Sequence, residues 1–516
     1  MRIVDFLDRG ALLYPELPCL SDGVSRHFTY KQTVHLSYRI ASALNSAGVG
    51  PGSHIAVLSP NDPIGYSCIL GLLRAGGVWL PINGRNPVSE NIAVLNARRP
   101  SWLFFHSDYA DFIEKIISEV PYLLGAICID RPHLNFPHLD TWMDEHRTDF
   151  KELPHQPADI AAIVSTGGTT GEPKGAMLPH SVFEAMTATY LACMPMTDRP
   201  VHLVVAPMTH GAGVVTFPLL SLGATHIFMK KTEPGAILKA IEKHRVTHLF
   251  MPPTLIYMLL AHPSVRQYEY SSLRYFMYAA APMSVEKLRE ALDVFGPVMT
   301  QTFGQAEAPM ICTYLSPQDH LDALSNHPTR LLSCGRPTPL TRVGIMDDEG
   351  KLVPSGEMGE IVVQGAIVMS GYHDRPKESA EANAHGWHHT GDIGFIDSDG
   401  FVYIVDRKRD MIISGGFNIY PSEIEQVLWS HPGVQDGAVI GVPDDKWGEA
   451  VKAIVQLKDG AVTETEELLA FCRDRLGSTK APKSIEIWPD LPRSAVGKVL
   501  KKTIRDRYWS NLDRRI

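Results

Sequence analysis

The sequence predicts an α/β protein with a large N-terminal domain of parallel α/β sheets, a β-rich subdomain, and a small mobile α+β C-terminal domain. Three observations predict this fold class. Short apolar runs alternate with helical patterns through about residue 300, hairpin patterns replace them near residue 340, and mixed strands and helices return after about residue 409. Strand–helix alternation favours parallel sheets that are covered by helices on both faces.

The N-terminal part contains a series of short apolar runs, each typical of a buried strand. We predict strands at 55–59, 78–82, 102–106, 125–130, 160–165, 202–206, 225–229, 273–279 and 298–303. Helical patterns lie between many of them, including 234–244 and 284–295. Asp62 is suited to cap a helix that has Pro63 at its first position. Ligands of such folds usually bind at the carboxyl ends of the strands.

The C-terminal part begins with two predicted hairpins, 342–346 with 360–364 and 393–396 with 401–405, each with an acidic, glycine-containing turn. A charged stretch at 406–410 follows. Beyond it we predict helices at 421–430 and 463–476 and strands at 438–442, 451–457 and 484–488. We therefore divide the chain into an N-terminal domain of residues 1–408, with the β-rich subdomain at about 335–405, and a C-terminal domain of residues 409–516.

Composition excludes several classes of protein. The 516 residues carry 48 basic and 57 acidic side chains, a formal net charge of −9, which argues against a nucleic-acid-binding protein. No apolar run reaches the roughly 18 residues of a membrane span. The N-terminus lacks the apolar core of a signal peptide, and the seven cysteines are scattered without a CxxC pair. We expect a cytoplasmic protein without integral membrane segments.

A glycine- and threonine-rich loop follows the strand predicted at 160–165. Its sequence is Ser165-Thr166-Gly167-Gly168-Thr169-Thr170-Gly171-Glu172-Pro173-Lys174-Gly175. Glycines let a backbone approach a polyphosphate, hydroxyls donate hydrogen bonds, and the lysine adds charge. The spacing of a Walker loop is absent, because Glu172 and Pro173 separate Gly171 from Lys174. Taken alone, a generic glycine-rich loop is more often a flexible surface loop, but the whole string here is much more specific than that.

The segment 166–175 resembles the phosphate loop TSGTTGxPKG of the adenylate-forming superfamily, which includes acyl-CoA synthetases, peptide-synthetase adenylation domains and beetle luciferases. Other segments resemble the motifs of that family in the same order: 207–210 (PxxH), 280–282 (GAP-like), 302–307 (YGxTE), 390–392 (TGD), 406–410 (hinge) and 492–498 (PxxxxGK). The segment 414–421 looks most like the acyl-CoA synthetases. The resemblance covers essentially the whole chain.

The resemblance implies a two-step reaction with ATP, Mg²⁺ and coenzyme A. A carboxylate attacks the α-phosphate of ATP to give acyl-AMP and pyrophosphate, and the thiol of coenzyme A then displaces AMP. The implied partners are the acid, ATP and coenzyme A, with no nucleic acid, and a homodimer would be unsurprising. Transfer to the pantetheine of a carrier protein is the alternative reaction, and nucleotide binding without turnover is a third.

The family motifs assign nucleotide-binding roles to particular positions. The resemblance implies that ATP and coenzyme A contact Thr166, Gly167, Gly168, Thr169, Thr170, Gly171, Lys174, Ala280, Ala281, Pro282, Thr302, Phe303, Gly304, Asp392, Arg407, Gly415 and Gly416. Among these, Asp392 and Arg407 would hold the ribose, and Gly415 and Gly416 would line the pantetheine channel. Phe303 would lie against adenine, although it could instead serve mainly as a core aromatic.

Three residues carry the implied chemistry. Lys498 would bridge the substrate carboxylate and the α-phosphate, where a fixed ammonium neutralises developing charge. Glu307, together with Thr170, would bind Mg²⁺, which prefers carboxylate and other oxygen ligands. His210 would border the carboxylate of the acid. Each has a structural alternative: a solvated lysine, a surface glutamate and a satisfied core histidine.

The predicted acid pocket consists of His210, Gly211, Ala212, Gly213, Ala280 and Gly304. Small side chains after His210 should leave volume open, so we expect a medium- or long-chain acid, or an aryl or ring-containing one. Two positions depart from the family pattern: Gly167 replaces a serine and Ala306 replaces a threonine. Arg409 is the predicted hinge about which the C-terminal domain would rotate between the two steps.

Overall fold

The computed structural model describes residues 1–148, 150, 152–166, 174–494 and 499–509. Its first part runs through α1 (Ile3–Leu13), β1 (Pro18–Ser21), β2 (His27–Thr29), α2 (Tyr30–Ser46), β3 (His54–Leu58), α3 (Pro63–Arg74), β4 (Val78–Ile82), α4 (Val88–Arg98), β5 (Trp102–Phe105), α5 (Ala110–Glu119), β6 (Gly125–Cys128), α6 (Leu139–Glu145) and β7 (Ile160–Thr166).

The middle of the chain follows with β8 (Lys174–Pro179), α7 (His180–Cys193), β9 (Val201–Val204), α8 (Gly211–Val214), α9 (Thr216–Leu220), β10 (Thr225–Phe228), α10 (Pro234–Lys243), β11 (His248–Met251), α11 (Pro253–Leu260), β12 (Tyr275–Tyr278), α12 (Val285–Phe295), β13 (Met299–Phe303), β14 (Thr313–Leu315), α13 (Pro317–Ser325) and β15 (Arg336–Pro337).

The last part comprises β16 (Thr341–Met346), β17 (Gly359–Gly365), β18 (Gly371–Tyr372), α14 (Pro376–Ala382), β19 (His388–Ile396), β20 (Val402–Arg407), β21 (Ile412–Ser414), β22 (Phe417–Ile419), α15 (Pro421–Trp429), β23 (Val434–Asp444), β24 (Gly448–Leu457), α16 (Thr465–Lys480), β25 (Ser484–Ile487) and α17 (Lys501–Arg505).

Two large sheets form the N-terminal part, and their central strands are parallel as the sequence predicts. The nine-stranded sheet has the order β15-β14-β13-β12-β11-β9-β10-β1-β2, and the seven-stranded sheet has the order β18-β8-β7-β4-β3-β5-β6. The main apolar core includes residues of α2, α3, α7 and α9 together with strand residues of both sheets. The sheets are thus joined by a shared core.

The edges of these sheets contain antiparallel pairs beside the parallel central strands. Strand β8 pairs antiparallel with β7 and with β18, and β14 pairs antiparallel with β13 and with β15. A parallel return needs a crossover of about a dozen residues or more. Only residues 167–173 separate β7 from β8, so this return must be antiparallel.

Local sequence signals explain how individual elements begin. The Asp62 carboxylate accepts hydrogen bonds from the backbone N–H groups of Ile64 and Gly65, and Pro63 occupies the first turn of α3. Ser284 accepts from the N–H of Lys287 at the start of α12. These caps satisfy N–H groups that have no partner inside the helix. The predicted cap at Asp62 is confirmed.

The β-rich subdomain is a four-stranded antiparallel sheet in the order β16-β17-β19-β20. Both predicted hairpins are therefore present, since β16 pairs with β17 and β19 with β20. The C-terminal unit has its own sheet, β22-β21-β24-β23 with β25 beside β24, and its own apolar clusters. Within the described ranges, no helix combines the length and apolar character needed to cross a membrane.

Candidate active site

The carboxyl ends of β3 and β9, one from each large sheet, are joined through the buried side chain of Asn61. Its amide nitrogen lies 3.0–3.2 Å from the carbonyl oxygens of Val204, Val205, Ala206 and Met229. Its amide oxygen accepts a hydrogen bond from the N–H of Met208 at 2.7 Å. Asn61 therefore fixes the segment that leads from β9 to His210.

His210 lies at the start of α8. The residue keeps solvent-accessible surface, but many protein atoms also lie around its imidazole ring. Its Nδ1 is 3.0 Å from the hydroxyl of Thr209. Desolvation by the surrounding protein lowers the pKa of His210 to about 4, and the positive charge of Arg85 acts in the same direction. The imidazole is therefore neutral at pH 7, able to donate one hydrogen bond and accept another.

The structure corrects the expected open volume after His210. Ala212 is fully buried in the main core. A Cβ added to Gly213 would lie 1.7 Å from the carbonyl oxygen of Met208, so this glycine permits close backbone packing. A Cβ on Gly211 would approach the sulfur of Met310 at 3.1 Å. Of the three, only Gly211 is partly exposed.

The two ends of the phosphate-loop segment lie side by side, because Thr166 at the end of β7 pairs with Lys174 at the start of β8. The ammonium of Lys174 lies 5.0 Å from the ring centroid of Tyr372. The hydroxyl of Tyr372 donates a hydrogen bond to Oε1 of Glu307 at 2.8 Å. The predicted phosphate-binding lysine and the predicted metal ligand are therefore connected through one aromatic side chain.

The position of Glu307 fits a Mg²⁺ ion that is shared with phosphate oxygens. Tyr372 occupies Oε1, while Oε2 has no hydrogen-bond partner among the described residues. No group of three or more His, Cys, Asp or Glu side chains in the described ranges could hold a metal by itself. A single carboxylate suits Mg²⁺, which keeps several waters and binds through substrate phosphates. Thr170, the other predicted ligand, lies outside the described residues.

Asp392 and Arg407, the predicted ribose-binding residues, form an ion pair between neighbouring strands. The Nε of Arg407 lies 2.8 Å from Oδ1 of Asp392, whose side chain is almost fully buried. On the other side, Gln305 donates a hydrogen bond to Oδ2 of Asp392 at 2.9 Å.

The predicted adenine-side residues divide into exposed and buried groups. Ala280, Ala281 and Pro282 follow the carboxyl end of β12 and are at least partly exposed. Thr302 and Phe303 are buried in β13, and Phe303 belongs to the main core. The Thr302 hydroxyl is buried without a hydrogen-bond partner among the described residues, and its contact with the nucleotide stays a prediction. Gly304 is partly exposed, and a Cβ there would meet the N of Met310 at 2.6 Å.

The C-terminal unit carries the remaining predicted residues. Gly415 and Gly416 form the exposed turn between β21 and β22, with φ of +57° and +83°. Left-handed φ at both positions favours glycine. Within the charged stretch 406–410, Arg409 is exposed, whereas Asp406 is buried and accepts a hydrogen bond from the N–H of Ser422.

Several predicted site residues lie outside the described part of the chain. These are Gly167, Gly168, Thr169, Thr170, Gly171 and Lys498. Sequence reasoning did not single out Asn61, Gln305 or Tyr372. Gln305 stood inside the quoted 302–307 segment, whereas no motif quoted above contained Asn61 or Tyr372. An asparagine directly before the Asp62–Pro63 helix start was the only signal at Asn61.

Comparisons with known proteins match two parts of the chain to family models. The model of the AMP-binding enzyme family matches residues 7–373, and that of the AMP-binding enzyme C-terminal domain matches residues 423–498. The chain is 35% identical to a medium/long-chain-fatty-acid–CoA ligase of Mycobacterium tuberculosis, over 92% of the chain and 84% of that relative. It is 36% identical to a feruloyl-CoA synthase of Amycolatopsis sp, over 97% and 98%.

Solved structures show the same architecture. The amide bond synthetase McbA of Marinactinospora thermotolerans superposes with a TM-score of 0.88 at 28% identity. The superposition covers 98% of this chain and all of that one.

Proposed function

The chain belongs to the AMP-binding enzyme family, and on that premise we propose that it is an ATP-dependent carboxylic acid:coenzyme A ligase. The acid reacts with ATP to give acyl-AMP and pyrophosphate, and coenzyme A then gives acyl-CoA and AMP. The reaction uses ATP, Mg²⁺ and coenzyme A. Two relatives that match nearly the whole chain are named as a CoA ligase and a CoA synthase, which supports this activity.

One observation carries the proposal on the side of the structure. Glu307 and Tyr372, like Gln305 and Asp392, are far apart in sequence but make direct hydrogen bonds. The result is two connected groups of polar side chains, Lys174–Tyr372–Glu307 and Gln305–Asp392–Arg407, which meet where Gln305 and Glu307 lie two residues apart in sequence. These groups contain basic side chains, a carboxylate suited to Mg²⁺ and a buried carboxylate suited to a diol. Such side chains complement the phosphates, the metal ion and the ribose of Mg²⁺-bound ATP. Phosphoryl chemistry depends mainly on such positioning and charge.

We propose that Lys498 neutralises the α-phosphate during the first step and that His210 borders the acid. Lys498→Ala should lower the rate of acyl-AMP formation by about 10²–10³, because one charge-stabilising donor is lost. Synthetic acyl-AMP with coenzyme A should still give thioester at a near-normal rate. Pyrophosphate exchange and single-turnover thioester formation measure the two steps separately. Equal loss of both steps would contradict this role.

The proposed substrate is a medium- or long-chain acid, or an aryl or ring-containing acid. The names of the two curated relatives, a fatty-acid ligase and a feruloyl-CoA synthase, support this range. The test is a panel of short-chain, long-chain and aryl carboxylic acids, scored for AMP release with and without coenzyme A. AMP release that requires free coenzyme A supports the ligase. Release that requires a carrier protein would favour the alternative acceptor.

The departures at Gly167 and Ala306 leave a binding protein without turnover as the remaining alternative. Each removes a hydroxyl, and a lost hydrogen bond to a charged group costs about 1.5–3 kcal/mol. Pyrophosphate release with any acid of the panel rules this alternative out.

We further propose that the chain divides into domains 1–408 and 409–516. We also propose a cytoplasmic location, which the seven free cysteines support.

A further inference from the structure

The two carboxylate oxygens of Asp392 each have a different protein donor. Arg407 approaches Oδ1 at 2.8 Å from the next strand, and Gln305 donates to Oδ2 at 2.9 Å from the loop after β13. Asp392 itself is about 3% exposed. A buried carboxylate needs such partners, because an unpaired charge away from water is costly. The orientation of Asp392 therefore depends on both neighbours.

The side-chain amide of Gln305 has a single consistent orientation. Its nitrogen donates to Oδ2 of Asp392 and to the carbonyl oxygen of Thr390 at 2.8 Å. Its oxygen lies 3.5 Å from Nε2 of His388, a ring nitrogen that can donate to it. Rotating the amide by 180° would place its oxygen against two acceptors. The surroundings of Gln305 thus hold its donor group towards Asp392.

We propose that Gln305 is a positioning residue that orients Asp392 for the two ribose hydroxyls of an adenine nucleotide. This inference rests on the proposed function. A vicinal diol presents two O–H donors at fixed spacing, so the plane of the accepting carboxylate matters. The terminal torsion of a carboxylate is broad and soft, and a donor at Oδ2 in addition to Arg407 at Oδ1 restricts rotation about it. Gln305 supplies that donor.

The position of Gln305 also links two parts of the site. It lies two residues before Glu307, on the segment that leads out of β13. The same short segment therefore orients the ribose-binding carboxylate and carries the carboxylate suited to Mg²⁺. The hydrogen bond spans 87 positions of sequence and joins this segment to β19.

The test compares AMP with 2′,3′-dideoxy-AMP, which lacks both ribose hydroxyls, by isothermal titration calorimetry on the full chain. Gln305→Met keeps the length of the side chain and removes both donors. We expect it to weaken AMP binding about tenfold or more, the usual cost of losing a hydrogen bond to a charged group. Binding of the dideoxy nucleotide should match that of the unaltered protein, since no hydroxyl depends on Asp392.

The matched control is Gln301→Met in β13. It removes one of the two hydrogen-bond partners of the Tyr278 hydroxyl, the other being His320, and no hydrogen bond joins Gln301 to Asp392. It should leave both affinities unchanged. Should Gln305→Met not fold, Gln305→Asn replaces it, because its amide is too short to reach Asp392. Equal weakening of both nucleotides, or unchanged AMP affinity, would overturn the inference. Failure of the unaltered protein to bind AMP would instead overturn the proposed function.

Discussion

At the scale of single residues, Ala280 adopts a left-handed backbone conformation with φ of +74°. An L-residue with a Cβ pays roughly 1–2 kcal/mol there, whereas glycine adopts it freely. The GAP-like stretch that residues 280–282 resemble begins with glycine. Ala280 is thus a strained position two residues after the end of β12 at Tyr278.

Ala280→Gly should stabilise the protein, because relief of the strain exceeds the entropy that glycine adds to the unfolded chain. We expect a gain of about 0.5–1 kcal/mol, which for a chain of this size raises the unfolding midpoint by about 1 °C. Differential scanning calorimetry measures it. Ala281→Gly, at a position without positive φ, is the control and should destabilise. A lower midpoint for Ala280→Gly would contradict the strain argument.

Tyr372 offers a separable test of the contacts beside the phosphate loop. Its hydroxyl holds Glu307 and its ring lies under the ammonium of Lys174. Tyr372→Phe keeps the ring and removes the hydrogen bond, so the Mg²⁺ concentration for half-maximal pyrophosphate exchange should rise about tenfold.

Tyr372→Leu removes the ring as well, and the apparent KM for ATP should therefore also rise, through the loss of about 0.5–1 kcal/mol of cation–π interaction. The two variants together separate the two contacts. If Tyr372→Phe left the Mg²⁺ dependence unchanged, Glu307 would not need this partner.

At the scale of elements, three neighbouring strands of the nine-stranded sheet carry buried histidines in register. His226 of β10 and His248 of β11 both pair with His202 of β9. All three are fully buried, and in the described part of the chain none of their Nε2 atoms has a partner. Burial lowers the pKa of His226 and His248 to about 3 and that of His202 well below its usual value.

These pKa values predict a loss of stability in acid. A histidine of the unfolded chain binds a proton near pH 6.5, whereas the folded protein keeps His226 and His248 neutral down to about pH 3 and lowers the pKa of His202 in the same direction. Below about pH 6.5 the unfolded state holds more protons, so stability falls as the pH falls. Each histidine contributes a slope of up to about 1.4 kcal/mol per pH unit.

His226→Leu should therefore make the unfolding midpoint less sensitive to pH between 7 and 5. Thermal unfolding at pH 7 and pH 5 measures the change in the unfolding midpoint of each protein. Because each protein is compared with itself at the two pH values, a loss of packing that does not depend on pH cancels. The exposed His27 provides the control, His27→Leu, which should keep the full dependence. An unchanged dependence in His226→Leu would show that other groups cause the acid sensitivity.

At the scale of the whole molecule, the C-terminal unit contacts the rest of the chain close to Arg409. The N–H of Ser422 donates to Asp406 at 2.8 Å, and its hydroxyl donates to the carbonyl oxygen of Val405. Gln426 donates to the carbonyl oxygen of Met283 at 3.4 Å. Rotation about Arg409 would break these contacts. It would leave intact the main apolar core and the apolar clusters of the C-terminal unit, which suits a hinge.

Arg409→Pro should restrict that rotation, because proline fixes φ near −65° and removes an N–H. We expect acyl-AMP formation to persist and thioester formation to fall by orders of magnitude. Rapid-quench measurement of each half-reaction tests this. Arg409→Gly, which removes the same charge but keeps torsional freedom, should support both steps. Normal coenzyme A-dependent turnover in Arg409→Pro would remove the rotation from the mechanism.

Much of the fold could be predicted because its signals are local. The strand at Val78–Ile82 follows from one apolar run, and α3 follows from Asp62 and Pro63. The edges could not be predicted in this way, since the pairing of β18 with β8 brings together segments almost 200 residues apart. At the site, the open volume expected at Ala212 and Gly213 was wrong, because neighbours from other segments decide whether a small residue faces a cleft or a packed core.

The sequence by itself determined the order of the elements, the classes of side chain available for nucleotide chemistry, and the family that they resemble. Those properties depend on the type of each residue and on the spacing of residues that are close together in the sequence. Only the tertiary structure decided that Gln305 holds Asp392, that Tyr372 joins Glu307 to Lys174, and that Asn61 joins the two sheets. The physical reason is that hydrogen bonds act over about 3 Å, and strand pairing across distant parts of the chain sets which groups come that close.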